Sequence, residues 1–188
     1  MEYHNPVLLH PTVDGLNIKP DGVYVDVTFG GGGHSKEILS RLGPNGKLFA
    51  FDQDEDALAN TLDDERFTLI NENFRFIKRF LRFYGIKSVD GILGDLGVSS
   101  HQFDVPERGF STRFDADLDM RMSQKNDLNA YRVVNEYDNA NLTRVFLDYG
   151  ELKNAPALAR TIVEAREHQP IKTTDELKEV LAKYLPEK

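Results

Sequence analysis

Up to about residue 98, short runs of β-branched and aromatic residues alternate with stretches whose apolar positions recur at helical spacing. Residues 23–28 read as a first strand, set off by Pro20-Asp21-Gly22 before it and by glycines after it. A helix is expected over 35–42, with Ile38, Leu39 and Leu42 on one face and Gly43-Pro44-Asn45-Gly46 ending it. A second strand follows at 47–51, then a helix at 54–62 whose acidic first turn suits its dipole. A third strand at 67–70, a helix at 74–84 and a fourth strand at 89–94 complete the series. This alternation predicts an α/β fold with a parallel, doubly wound, Rossmann-like sheet.

The pattern then changes. Residues 99–126 are polar and irregular, and from Asn129 onward every periodic stretch is helical. One helix is expected over 141–149, closed by Gly150 as a C′ glycine. A second, over 155–168, carries Leu158, Ile162 and Ala165 and stops before Pro170. Thr173-Thr174-Asp175-Glu176 has the form of a capping box opening a third helix over 177–185. The expected partition is a sheet domain at 1–105 and a helical module at 106–188.

Composition narrows the function classes. With 188 residues, 40% hydrophobic and 29% charged, the chain suits one sizeable domain with an appendage and excludes collagen-like and wholly disordered readings. No apolar run reaches the ~20 residues of a membrane helix, and the N-terminus lacks the basic region of a secretory signal. The absence of cysteine removes disulfides, thiolate nucleophiles and Cys-ligated metals, and a reducing, cytoplasmic setting is expected. A net charge of -8 disfavours indiscriminate polyanion binding, so a nucleic-acid role would need a local basic patch or a specific pocket.

The sharpest chemical feature is Asp26-Val27-Thr28-Phe29 followed by Gly30, Gly31, Gly32 and Gly33, then His34 and Ser35. Four glycines between a strand and a helix let a ligand approach backbone amides at a helix start. The dinucleotide fingerprint G-x-G-x-x-G fails here, since its third glycine would fall on Ser35 or Lys36, and no P-loop motif exists. Asp52 ends the second strand about 20 residues beyond the glycines, the spacing at which a carboxylate accepts ribose hydroxyls. Such a charge-assisted bond is worth ~1.5–3 kcal/mol. Asp26 is placed either to reach the same pocket or to cap the loop. An adenosine-bearing cofactor without a pyrophosphate signature points to S-adenosyl-L-methionine. The fourth strand runs into Asp95-Leu96-Gly97-Val98-Ser99-Ser100-His101-Gln102, a polar segment at the same edge of the sheet.

His4-Asn5-Pro6-Val7-Leu8-Leu9, the glycine loop, Asp52-Gln53-Asp54 and the 90–102 segment, with Arg108-Gly109-Phe110-Ser111 and Leu118-Asp119-Met120-Arg121-Met122, together resemble the bacterial small-subunit ribosomal RNA cytosine-N4 methyltransferase family. The resemblance runs in order from residue 4 to about 182. It implies S-adenosylmethionine as methyl donor and the N4 amine of one cytidine in the decoding region as acceptor. Small-subunit ribosomal RNA, or the ribosomal subunit itself, would be the partner. It also implies a helical substrate-recognition module inserted into the methyltransferase domain. Carried over by motif, the cofactor contacts are Gly32, Gly33, His34, Asp52, Phe74, Asp95 and Gln102, with Asp95 also the candidate catalytic residue. Pro11 stands where the family usually has an acidic residue, and Ala116-Asp117 replaces a more usual Gly-Pro. The family continues with further strands beyond this chain's length, so the fourth strand is expected to be an uncovered edge, open to a homodimer or to cover by the helical module. Two other assignments stay open: an adenosine-cofactor module without catalysis, and an NAD-type oxidoreductase, which the missing third glycine disfavours.

Residues 74–87 hold Arg75, Lys78, Arg79, Arg82 and Lys87 without one acid, interleaved with Phe76, Phe80, Phe83 and Tyr84. Their spacing favours a solvated outer face backed by a core aromatic stripe. Arg108, Arg113 and Arg121, in the loop nearest the expected site, are the stronger candidates for phosphate contacts. Phe74 would pack on adenine or face the core. The histidines do not cluster as ligands, and the alternating Asp115, Asp117 and Asp119 lack the ligand set of a calcium loop, so no metal site is expected.

Overall fold

The structure, a computed structural model, describes residues 6–184 and divides into two compact units, Met1–Ser99 and Ser100–Lys188. His4, Asn5 and Leu185 lie outside the described residues.

The first unit is built on four parallel strands, β1 (Val23–Asp26), β2 (Lys47–Phe51), β3 (Phe67–Ile70) and β4 (Gly91–Leu93), in the order β3-β2-β1-β4. Period-two alternation sends successive side chains to opposite faces. Tyr24, Leu48, Ala50, Phe67 and Leu93 join one core with Val13, Ile38 and Leu39 from helices α1 (Leu9–Gly15) and α2 (Gly33–Arg41). Val25, Phe49, Phe51 and Ile70 join the other with Ile77, Phe80 and Leu81 from α3 (Ile77–Phe83). Both faces are therefore covered, as a parallel sheet requires. The chain moves outward from β1 to β3 and then crosses back to place β4 on the far side of β1. That reversal creates a switch point, where the carboxyl ends of β1 and β4 diverge and ligands bind in folds of this kind. β4 pairs only with β1 among the described residues, and its Ile92 is 54% exposed.

Three expectations need correction in this unit. The stretch after β2 is a 3₁₀ helix, Glu55–Asn60, because the Asp54 carboxylate accepts from the Asp56 amide and tightens the turn. The segment after β3 opens with a 3₁₀ turn, Phe74–Phe76, before α3. Phe83 is not core: it is 79% exposed, and the half-buried Ile77, Phe80 and Leu81 make the stripe that packs on the sheet instead.

The second unit is helical: α4 (Ser100–Asp104), α5 (Ala130–Glu136), α6 (Asn139–Asp148), α7 (Ala155–Arg166) and α8 (Thr174–Val180). Its core is Leu118, Val134, Leu142, Ala159, Ile162 and Ile171. The segment 99–126, expected to be irregular throughout, contains α4 and a 3₁₀ turn at Pro106–Arg108. α8 stops at Val180, short of 185. After α6 the left-handed residue is Glu151, at φ 52°, rather than Gly150. Gly150 is needed for space, since a Cβ there would stand 2.9 Å from the Phe146 carbonyl oxygen. The Thr173 capping box is present in full, with the Thr173 hydroxyl accepting from the Glu176 amide and the Glu176 carboxylate accepting from the Thr173 amide. Thr173→Ala is expected to lower stability by about 1 kcal/mol in urea unfolding of the whole chain. No helix among the described residues is long and apolar enough to cross a membrane.

Candidate cofactor site

The glycine loop turns because two of its residues occupy the left-handed region, Gly30 at φ 51° and Gly32 at φ 77°. Gly33 is required for a different reason: a Cβ there would lie 2.3 Å from Pro6 Cγ. Asp26 resolves to the capping role. Its carboxylate accepts from the Thr28 amide at 3.0 Å and from the Ser35 hydroxyl at 2.8 Å, and both Asp26 and Ser35 are fully buried. The end of β1 is thereby tied to the first turn of α2 across the loop. Burial pushes the Asp26 carboxyl above its ordinary range, against the opposing pull of the Ser35 and Thr28 hydrogen bonds.

Asp52 is bound to the same loop. Its Oδ2 accepts from the Gly30 amide at 2.7 Å and its Oδ1 from the Asp54 amide at 2.9 Å. Burial raises its carboxyl as well, opposed by those backbone amides. Two asparagines that sequence reasoning passes over brace the arrangement. Asn60 Nδ2 donates to the Gly30 carbonyl at 3.0 Å, and Asn71 Nδ2 donates to the carbonyls of Asp52 and Asp54 at 3.0 and 3.2 Å. Asn60 ends the 3₁₀ helix and reaches the loop after β1, Asn71 follows β3 and reaches the end of β2, and a lone amide at such a position carries no sequence signal. Thr28 escapes sequence reasoning too: its hydroxyl oxygen accepts from the Asp95 amide at 2.7 Å, joining the loop after β1 to the segment after β4. The carboxylate-bearing residues Asp52 and Asp95 are thus both fixed, through different partners, to the strand-end loop of β1. Asp95 itself is exposed.

Phe74 follows the carboxyl end of β3, is 41% exposed and does not face the core. His34, on the first turn of α2, is buried, and its Nε2 has no hydrogen-bond partner among the described residues. α2 has neither a side-chain cap nor an acidic residue in its first turn, so the early amides that a helix leaves unsatisfied are not taken up locally. An orphaned buried nitrogen, a glycine cradle and a half-buried carboxylate at a β2 end fit an adenosine-bearing ligand with hydroxyls to donate.

Gln102 belongs to the second unit, on α4, and is buried. Of the three arginines expected to contact phosphate, Arg108 and Arg121 are drawn inward. Arg108 is buried, donating to the carbonyls of Arg121 and Met122 at 2.9 and 3.2 Å. Arg121 pairs with Asp119 at 2.6 Å and reaches the carbonyls of Gln124 and Asn126. Arg113, although exposed, pairs with Asp104 at 2.7 Å. The physical reason is that irregular backbone leaves carbonyls without ladder partners, and the guanidinium fork satisfies several at once. Gly109 shows how tightly this region is wound: a Cβ would meet the Asp117 carbonyl oxygen at 2.4 Å.

The MraW methylase family matches residues 1–188, the whole length of the sequence. The chain belongs to that family. It is 90% identical over 188 residues to the ribosomal RNA small subunit methyltransferase H of Flavobacterium johnsoniae, covering 100% of this chain and 62% of that protein. The proteins of the same name from Flavobacterium psychrophilum and Christiangramia forsetii are 77% and 69% identical, over 95% and 98% of this chain and 62% and 61% of theirs. The chain therefore spans about three-fifths of the length of these relatives. A solved rRNA methylase from Streptococcus thermophilus gives a TM-score of 0.34 at 27% identity, over 44% of this chain and 51% of that one, too slight an overlap to bear on the fold. The MraW methylases are S-adenosylmethionine-dependent methyltransferases.

Proposed function

We propose that this chain carries the S-adenosylmethionine site of a ribosomal RNA methyltransferase, acting on the N4 amine of a cytidine in the decoding region of the small subunit. The observation that carries the cofactor part is the Asp52–Gly30 bond, which couples the ribose-binding acid to the glycine loop at the switch point of the sheet. The names of the relatives support ribosomal RNA as substrate; the choice of N4 of cytidine rests on the family resemblance of the motifs.

Gly32, Gly33 and His34 would hold the cofactor through the loop and the start of α2, Asp52 through the ribose, and Phe74 through its exposed ring. Gln102 is carried over by motif alone. When bound, S-adenosylmethionine supplies an electrophilic methyl group on a sulfonium. The cytosine amine is a poor nucleophile because its lone pair is delocalised into the ring. The task of the chain is therefore to position that amine and to hydrogen-bond it so that the lone pair localises. Asp95 suits this role: it follows β4 and is held at its backbone by Thr28, leaving its carboxylate to accept from the amine. The base must be splayed from its stack to reach such a site.

Calorimetry should show one-site binding of S-adenosylmethionine and none of NAD; the reverse would overturn the cofactor assignment. Tritium counting of methyl groups on small-subunit RNA then tests transfer. Cofactor binding with no transfer would refute the catalytic part and leave the cofactor part standing.

A further inference from the structure

Several arginines of this acidic chain are neutralised locally. Arg41 pairs with Asp14 and Glu37, Arg66 with Asp64, Arg121 with Asp119 and Arg132 with Glu136. The cations of α3 and its flanks are not neutralised in this way. Arg75, Lys78, Arg79, Arg82 and Lys87 are all exposed, and among the described residues none of them forms an ion pair with a carboxylate. At 100° per residue, Lys78, Arg79 and Arg82 fall on one arc of α3, opposite the Ile77, Phe80 and Leu81 stripe that packs on the sheet, and Arg75 lies in the turn that leads into it. Beside this arc stands Phe83, 79% exposed, and Arg75 lies over the Phe76 ring with its guanidinium carbon 4.5 Å from the centroid.

We infer that this face of α3 is an RNA-docking surface, in which the cations meet backbone phosphates and Phe83 offers a ring for base stacking. The inference rests on the proposed RNA methyltransferase function and adds the surface by which RNA is held. Unpaired cations clustered on one face attract a polyanion locally even when the chain as a whole is acidic, because charges farther than a Debye length of about 8–10 Å are screened. An exposed aromatic beside them matches the combination that binds single-stranded nucleic acid, phosphate contacts with base stacking. The helix also starts at the candidate site: Phe74 precedes Arg75, and the Asn73 side chain donates to Gln53 at 2.7 Å, next to Asp52. A strand lying along α3 is thus led to the carboxyl edge of the sheet. An anionic membrane is the weaker partner, since insertion needs an apolar helix face and that face is already packed on the sheet.

The test is fluorescence anisotropy of a labelled single-stranded RNA titrated with the 188-residue chain between 50 and 200 mM salt. Arg79→Glu with Arg82→Glu is expected to weaken binding at least tenfold and to flatten the dependence of log K on log salt by about 1.4, or about 0.7 for each single-strand phosphate no longer neutralised. Phe83→Ala is expected to weaken binding about tenfold with the salt slope kept. Arg132→Glu with Arg144→Glu changes the net charge equally in the second unit and should leave binding within about twofold. Three results would overturn the inference: RNA affinity unchanged by the α3 substitutions, an equal loss from both double variants, or retention by phosphatidylglycerol vesicles in place of RNA. Calorimetry with S-adenosylmethionine on the same variants separates the two proposals. Cofactor binding kept while RNA binding falls supports the inference. A parent chain that binds RNA through α3 but no cofactor refutes the methyltransferase assignment alone.

Discussion

Asp52→Ala is expected to weaken S-adenosylmethionine binding about a hundredfold, measured by calorimetry against the parent chain. Two losses combine. A carboxylate accepting from ribose hydroxyls contributes ~1.5–3 kcal/mol for each charge-assisted bond, and about 2.7 kcal/mol corresponds to a hundredfold in Kd. The second loss is local: without Asp52 the Gly30 and Asp54 amides lose their acceptors, so the loop that should receive the ligand is no longer pinned to β2. Asp52→Asn separates these effects. It keeps one oxygen for Gly30 but removes the charge and one acceptor, and about a tenfold loss is expected. If both variants bind like the parent with unchanged thermal midpoints, Asp52 does not contact the ligand.

Much of this site is legible in the sequence because its signals are local and chemically narrow. Four glycines after a strand and an acid at the next strand end define a geometry that β1 and β2, paired from Val23 against Lys47 to Asp26 against Ala50, carry into space without further information. The strands are legible for the same reason, since Leu48, Phe49, Ala50 and Phe51 alternate between two cores as period two requires. Phe83 escapes that logic because Ile77, Phe80 and Leu81 set the arc of α3 that packs on the sheet, and at 100° per residue Phe83, the last residue of the helix, falls outside that arc. The 3₁₀ turn at Phe74–Phe76 takes Phe76 out of the phase of α3. Arg108 and Arg121 turn inward for a deeper reason. Whether a guanidinium in an irregular segment faces solvent or closes on backbone carbonyls depends on tertiary approach, here that of Met120–Met122 to Arg108, and no spacing rule encodes that approach. In the first unit, by contrast, Arg75, Lys78, Arg79 and Arg82 stay exposed and without a carboxylate partner among the described residues, and it is on these that the RNA-docking inference rests.

Asp26→Ala is expected to destabilise the chain by about 3 kcal/mol in denaturant unfolding and to abolish cofactor binding with it. The residue is fully buried, and its removal strands the Ser35 hydroxyl and the Thr28 amide, each left without its acceptor in a water-poor environment. Such orphans cost about 1–3 kcal/mol apiece. Because the same bonds tie β1 to the first turn of α2, stability and the glycine loop fail together. Asp26→Asn retains an oxygen for Thr28 and an amide able to donate to the Ser35 oxygen, so it should be the milder change and the better probe of charge. The folded-state pKa of Asp26 lies above its unfolded value of 3.8, chiefly through burial. The folded state therefore holds the proton to higher pH, and the stabilisation is complete below 3.8 and lost as pH rises through the raised value. Asp64 behaves oppositely. Arg66 holds its carboxyl down to about 2, so its contribution is present above 3.8 and lost as pH falls toward that lower value. Measured as parent minus Asn variant across acid pH, the stability difference should fall with rising pH for Asp26 and grow with it for Asp64. Parallel slopes would mean that charge pairing rather than burial governs Asp26, and would overturn its role as the buried tie between β1 and α2.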